Sequence, residues 1–562
     1  MTALLRGFLF SCLLLVFALS PLQAQEIPVS VFQNQGGVEI ELQELHRITE
    51  LVAHEGITID HGCTHQKAKL YVTQDGYDYL KSENIAFQYV KRPPVKITMK
   101  GPEEMHMYRS DCMPVMDFYP TYEAYVELMQ SFASTYPELC EIINIGTLDS
   151  GRELLVAHLG DSVTADEDEP NFLYTSTMHG DETAGFPIML QLIDYLLCNY
   201  DEVEQVTELM DNINIYINPL ANPDGAYTSD NSTVANATRR NANFVDLNRN
   251  FPDPEDGMNP DNRPTQQETQ FFIDFAEAND IHLSCNIHGG AEVVNYPWDT
   301  WRNDPADLSW WIQSCRDYAD AAQANGPAGY MTRFDNGITN GFDWFEVNGG
   351  RQDLMNYFVR AREMTLEISR VKLLDSGELP VIWEANRESL ITYMNAALHG
   401  LRGHVIDCTT GLPIEAEILI PDHDIDNSSV FSDAEEGNYF RYLDDGNYEV
   451  MYVAEGYDTV YRSIAVSDYL VHVENVELCK MISSTEDNIF ENLNYYVADD
   501  LLVLEGTELN AYTIELYNTA GQQLLFRQSY NAPIDVASIS AGIYLLRLSH
   551  EEQSTTYSLA IP

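Results

Sequence analysis

The sequence predicts an α/β protein with a small α+β unit before its main domain and two β-sandwich units after it. Three observations carry this. Short apolar runs alternate with helical stretches between about 112 and 398, which is the rhythm of an α/β domain. Beyond "AALHGLRG" the texture changes to short alternating strands separated by turn signals. Finally, 562 residues are too many for one hydrophobic core.

The elements follow in chain order. "MTALLRGFLFSCLLLVFALSPLQAQ" has one positive charge, at Arg6, an apolar stretch through Leu19 and a small-residue exit at Ala24. It reads as a secretory signal peptide spanning 1–24. No other stretch is apolar for long enough to be a membrane span, so no stable transmembrane anchor is expected. Residues 25–111 form the small α+β unit and its linker. "LQELHRITELV" and "GYDYLKSENI" have helical spacing, "GITIDHG", "AKLYVT" and "AFQYV" read as strands, and "KRPPVK" breaks the pattern.

In the main domain, 112–398, "NFLYTST", "NINIYINPL", "HLSCNIH" and "EMTLEI" are strand candidates, and "FPIMLQLIDYLL" is a buried helix. Each run ends at a polar cluster. Open α/β sheets bind ligands beyond the carboxyl ends of their strands, so these clusters are expected to meet at one site. Residues 399–480 and 481–562 are the two β-rich units. With Cys12 lost in the signal peptide, eight cysteines remain, and Cys408 and Cys479 bracket the first β-unit as a candidate disulfide.

The balance of 30 basic against 88 acidic side chains gives a net charge of −58. Such an excess disfavours nucleic acid and anionic membranes as partners and favours cationic ligands.

His179 and Glu182 in "TMHGDETAG" lie one turn apart, so both can reach one ion. His288 ends another strand in "CNIHGG". Two histidines and a glutamate with an open fourth position make a catalytic rather than a structural zinc set. In "TRRNANFVDLNRNFPD", Asn248 and Arg249 sit side by side, and an arginine fork suits a carboxylate. Arg239, earlier in the same stretch, could stabilise an oxyanion. Glu367 in "EMTLEIS" is an acid near the end of a strand-like run, either ion-paired or a general base. Alone, each of these residues also has a bland reading as a core histidine, a surface loop or a salt bridge. Neither "HExxH" nor "GxSxG" is present, so other hydrolase mechanisms lack a motif.

"HGDE", "NPDGAY", "NANFVDLNRNFPD", "NIHGGAEVVNYPWD", "GGRQD" and "MTLE" stand in the order found in M14 zinc metallocarboxypeptidases, and their wording resembles the carboxypeptidase N/E subfamily. The resemblance covers about 112 to 480. It implies a mixed-sheet carboxypeptidase domain followed by a transthyretin-like β-sandwich, and one Zn²⁺ held by His179, Glu182 and His288. It implies that Asn248 and Arg249 hold the substrate's terminal carboxylate. Arg239 would polarise the scissile carbonyl, and Glu367 would activate water. Asp299 and Gln352 match the pocket residues of basic-specific members, which implies a preference for C-terminal Lys or Arg. Two positions depart from the pattern. Phe345 stands where the family has a mobile tyrosine, and Arg351 puts a cation beside the pocket. Residues 25–111 occupy the place of a propeptide.

The last 80 or so residues, with "SAGIYLLRL", resemble the C-terminal sorting domain of type IX secretion cargo. That implies the secretion machinery as a partner, and location outside or on the surface of a bacterium. Two other readings stay open: a zinc peptidase or amidase acting on peptidoglycan-type peptides, and a noncatalytic peptide-binding relative.

Overall fold

The computed structural model describes residues 26–562 apart from 36, 43–44, 53, 55, 65–66, 93–94, 106–111, 165–167, 468–469, 482–492, 506–510, 528 and 551–552. The expected signal peptide lies outside the described residues. Two compact units emerge, Met1–Lys480 and Met481–Pro562.

The first unit is built on an eight-stranded sheet. Its strands are β1 (Cys140–Thr147), β2 (Glu153–Leu159), β3 (Asn171–Ser176), β4 (Asn214–Asn218), β5 (Ile281–His288), β6 (Glu292–Tyr296), β7 (Ile338–Asn340) and β8 (Arg362–Ile368), in the spatial order β7-β6-β8-β5-β3-β4-β2-β1. The four central strands β8, β5, β3 and β4 run parallel. β6 pairs antiparallel with β8, and β2 with both β4 and β1. The sheet is therefore mixed, as the resemblance implied. The central strands are buried almost throughout, which explains why they read as continuous apolar runs rather than alternating ones.

Helices cover both faces. α1 (Tyr122–Thr135), α2 (Gly185–Asn199), α4 (Leu308–Asn325) and α5 (Leu379–Asn395) pack with Tyr174, Ile287 and Leu366 in the larger core. The opposite face carries α3 (Gln267–Ala278), whose Phe272 and Phe275 meet Leu173 and Val156. A disulfide, Cys112–Cys198, ties the end of α2 to the chain preceding α1. The sequence did not point to that pair.

Ahead of the sheet, strands Val38–Leu42, Ile57–Thr64, Lys67–Val72 and Phe87–Val90 form an antiparallel sheet with helix Gln74–Ser82 between the last two. The three strands and the second helix read from the sequence are present, joined by the strand Val38–Leu42, with a small core of their own around Ile40, Leu70 and Leu80. After the main sheet, residues 400–478 form two four-stranded sheets packed around Ile418, Tyr439 and Val450. The Cys408–Cys479 disulfide closes this sandwich, as expected from the sequence. The second unit is again all β, with a three-stranded and a four-stranded sheet around Ile514, Leu546 and Leu559.

Candidate metal and peptide site

Parallel strands end at one edge of a sheet, so β3, β4, β5 and β8 deliver their C-terminal residues to the same place. His288 is the last residue of β5, and the register sets it directly opposite Glu367 of β8. The loop after β3 turns back through an i→i+3 hydrogen bond from Glu182 N–H to the His179 carbonyl. Both side chains then point the same way. Gly180 makes this possible: a Cβ there would collide with the backbone of Gly225.

The result is a close cluster. Glu182 Oε2 lies 2.9 Å from His179 Nδ1 and 2.8 Å from His288 Nδ1, and the two ring nitrogens are 3.0 Å apart. All three side chains are buried. Two imidazole nitrogens facing each other across a carboxylate are three lone-pair donors converging on one point, a donor set suited to Zn²⁺. The carboxylate charge is held as well. Although burial opposes it, His179 and His288 keep the Glu182 carboxyl well below its ordinary range. Burial pushes His288 down to about 4, which favours the neutral, ligating imidazole.

The surrounding residues orient the cluster. Asp246 Oδ1 lies 3.1 Å from His179 Nε2, and its Oδ2 accepts a 2.8 Å bond from Arg239 Nε. Arg239 Nη1 stands 3.1 Å from His179 Nδ1 and 3.2 Å from Glu182 Oε1. Asp246 also caps the 3-10 turn Leu247–Arg249 by accepting the Asn248 N–H. One carboxylate thus fixes a histidine, an arginine and the Asn248–Arg249 pair. Despite the cost of burial, Arg239 and His179 hold it well below the ordinary carboxylate range. On the other histidine, the side-chain amide of Asn286 lies 2.9 Å from His288 Nε2. Asp246 stands inside a stretch the sequence had singled out, but its role was not recognised there.

Asn248 and Arg249 are half-buried at the mouth of the site. Asn248 Oδ1 accepts from the Arg351 backbone N–H at 3.0 Å. Arg249 Nη2 donates to the carbonyl of Ile59, in the N-terminal sheet, at 3.3 Å. Arg92, from the end of that unit, meets Asp181 at 2.5 Å, beside the cluster. The N-terminal unit therefore touches the arginine expected to anchor the substrate.

Asp299, Asn295 and Gln352 form a buried polar floor. Asn295 Nδ2 and Gln352 Nε2 each donate to Asp299 Oδ1 at 3.0 Å. The remaining amide oxygens, Asn295 Oδ1 and Gln352 Oε1, are buried without a hydrogen-bond partner. Gly341 and Gly350 border the Asp299 carboxylate, and a Cβ at Gly341 would collide with it. Burial raises the Asp299 carboxyl to about 6, and the Arg249 guanidinium offsets part of that rise. Asp353, which accepts the Asp299 and Thr300 backbone N–H groups, is pushed well above its ordinary value by burial and by Asp299. Asn295 and Asp353 stand inside the motifs "NYPWD" and "GGRQD", but the motifs alone assign them no place at this floor.

Arg351 does not bring a free cation to the pocket. Its guanidinium is buried, bonded to Thr175 and paired with Glu363 at 3.0 Å. Phe345 is half-buried and lies edge-on to Trp344.

Comparison with known proteins agrees with this geometry. A zinc carboxypeptidase family model matches residues 125–389, and a secretion system C-terminal sorting domain model matches 498–562. Carboxypeptidase M of Mus musculus is 32% identical over 370 residues, which cover 62% of this chain and 82% of that protein. Carboxypeptidase D of Homo sapiens is 34% identical over 380 residues, 64% of this chain and 26% of that one. The chain thus spans about a quarter of the length of its carboxypeptidase D relatives. Among solved structures, the carboxypeptidase A from Helicoverpa armigera shares the fold with a TM-score of 0.51 at 17% identity, covering 65% of this chain and 98% of that one.

The fold and site define a metallopeptidase class. More particularly, the chain belongs to the M14 zinc carboxypeptidase family and carries a type IX secretion C-terminal sorting domain, the mark of a secreted or cell-surface protein. No described helix is long and apolar enough to cross a membrane.

Proposed function

We propose that the protein is an exported metallocarboxypeptidase that releases the last residue of peptides and proteins, with a preference for Lys or Arg. The observation that carries this reading is the β5–β8 register, which sets an acid, Glu367, beside a ligand of the His179–Glu182–His288 donor set.

His179, Glu182 and His288 would hold Zn²⁺, which when bound supplies Lewis acidity and a water of lowered pKa. Asn248 and Arg249 receive the terminal carboxylate of the substrate, which restricts the site to free C-termini. Arg239, fixed by Asp246, faces the carbonyl oxygen as negative charge develops on it. Glu367 takes the proton from the attacking water and returns it to the leaving amine.

The last side chain extends toward Asp299. An ammonium or guanidinium there meets one carboxylate and two orphaned amide oxygens, supplying the donors that this floor lacks. Arg351 is paired with Glu363, so its charge does not oppose a basic side chain there. The N-terminal unit shields Arg249, and the C-terminal unit engages the secretion machinery.

The test is a panel of peptides that differ only in the last residue, hydrolysed with and without a chelator, with Glu367→Gln as control. Chelator-sensitive release, fastest for Lys and Arg and lost in the variant, is expected. No chelator-sensitive release of any terminal residue overturns the peptidase reading. Equal release of Phe or Leu overturns the specificity.

A further inference from the structure

Beneath the metal cluster, one face of the central strands is polar. Side chains along a strand alternate between faces, so Ser284, Asn286 and His288 of β5 share a face, as do Glu363 and Glu367 of β8. The register sets Ser284 opposite Glu363, and Asn286 opposite Thr175 of β3. All of these side chains are buried. Ser284 Oγ donates to Glu363 Oε2 at 2.8 Å. The side-chain amide of Asn286 lies 3.3 Å from Thr175 Oγ1 and 2.9 Å from His288 Nε2.

Arg351 reaches into this stripe from the pocket segment. Its Nη1 donates to Thr175 Oγ1, and its Nη2 donates to Glu363 Oε2 at 3.0 Å. At the other end of the residue, the backbone N–H donates to Asn248 Oδ1 at 3.0 Å. The next side chain, Gln352, donates to Asp299 Oδ1 at 3.0 Å. Both contacts sit on the helix Arg351–Leu354, whose four residues are too few to hold a helical geometry unaided. A buried ion pair adds little stability over an apolar pair of similar volume, because desolvation offsets the attraction. It does supply direction: a planar fork aimed at two fixed acceptors restricts how the residue can sit.

We propose, on the peptidase reading above, that Arg351 is a positioning residue for substrate recognition. It holds residues 351–352 against β3 and β8, so that Asn248 and Gln352 keep the pose that receives the terminal carboxylate and the last side chain. Arg351 itself touches no substrate. It acts on Asn248 through its own N–H and on Asp299 through its neighbour, so one side chain sets both the carboxylate anchor and the pocket floor.

The test compares the full-length protein with Arg351→Lys, Arg351→Met/Glu363→Gln and Thr175→Val. The double change leaves no unpaired buried charge, and Thr175→Val removes one acceptor while keeping the side-chain shape. Each is measured by steady-state kinetics on a peptide ending in Lys, by calorimetric binding of free L-lysine and by chelator competition for zinc. Arg351→Met/Glu363→Gln should raise KM and weaken lysine binding about tenfold, with kcat changed less than about twofold. Thr175→Val should shift both in the same direction by a smaller factor. Arg351→Lys keeps the charge without the fork and should fall between the wild type and the double variant. Unchanged KM and lysine affinity in the folded variants overturns the proposal, and so does an equal loss of zinc affinity, which marks general loosening. Wild-type protein without chelator-sensitive release is a different result: it overturns the peptidase reading, and this proposal with it.

Discussion

Asp246 joins His179 to Arg239: one carboxylate oxygen lies 3.1 Å from the imidazole Nε2, and the other accepts at 2.8 Å from the guanidinium Nε. The proposed metal ligand and the proposed oxyanion partner therefore share a support. Such outer partners typically alter metal affinity or activity by about 10–100-fold. Asp246→Asn should lower zinc affinity by that order and reduce kcat as Arg239 loses its fixed position. A chelator competition assay alongside steady-state kinetics measures both, and unchanged values in both would remove Asp246 from this role.

Asp299→Asn should remove the basic preference while leaving release of neutral residues near its starting rate. Hydrogen bonds to charged groups contribute about 1.5–3 kcal/mol, so kcat/KM for C-terminal Lys should fall roughly 10–150-fold. The ratio of Lys to Phe release is the measurement.

The same residue predicts a pH dependence. Its carboxyl is raised to about 6, so it is neutral and protonated below that pH and charged above it. Preference for Lys over Phe should therefore climb between pH 5 and 7 and fade as pH drops through 6. In Asp299→Asn the ratio should be flat across this window.

Phe345→Tyr restores a hydroxyl where the family has one. A single added hydrogen bond to substrate should lower KM by about 2–10-fold. The chemical step, measured in single-turnover experiments, should hardly change; a large gain there would contradict the assignment of Phe345 to binding.

Arg249 donates to the Ile59 carbonyl, so the N-terminal unit engages part of the proposed carboxylate anchor. Cutting the chain at an engineered protease site in the segment joining this unit to the catalytic body should lower KM for peptides. Equal KM before and after cleavage would leave the contact without functional effect.

The metal set was legible in the sequence because each member sits in a short motif at a strand end, where fold class alone predicts a site. Glu367 was legible for a related reason: an acid near the end of a buried strand needs an explanation. Asp246 was not, since its neighbours Asn248 and Arg249 already accounted for the polarity of their stretch. Arg351 was read as a cation at the pocket because sequence gives position but not direction. Its direction is set by Glu363, Thr175 and the ring of Phe272, which come from three other elements. The contact between Ile59 and Arg249 was equally hidden, because docking of one unit on another leaves no periodicity to read.

The register that sets His288 opposite Glu367 separates two kinds of change. The reacting groups are mounted on strand ends and the turns that leave them, whereas the floor of the side-chain pocket is completed by residues 341–352, between β7 and β8. On the proposed reading, substrate range can then drift through Asp299 and that stretch together, with His179, Glu182, His288 and Glu367 left in place. A library covering Asp299 and 341–352 is accordingly the natural place to retool the preference for the last residue.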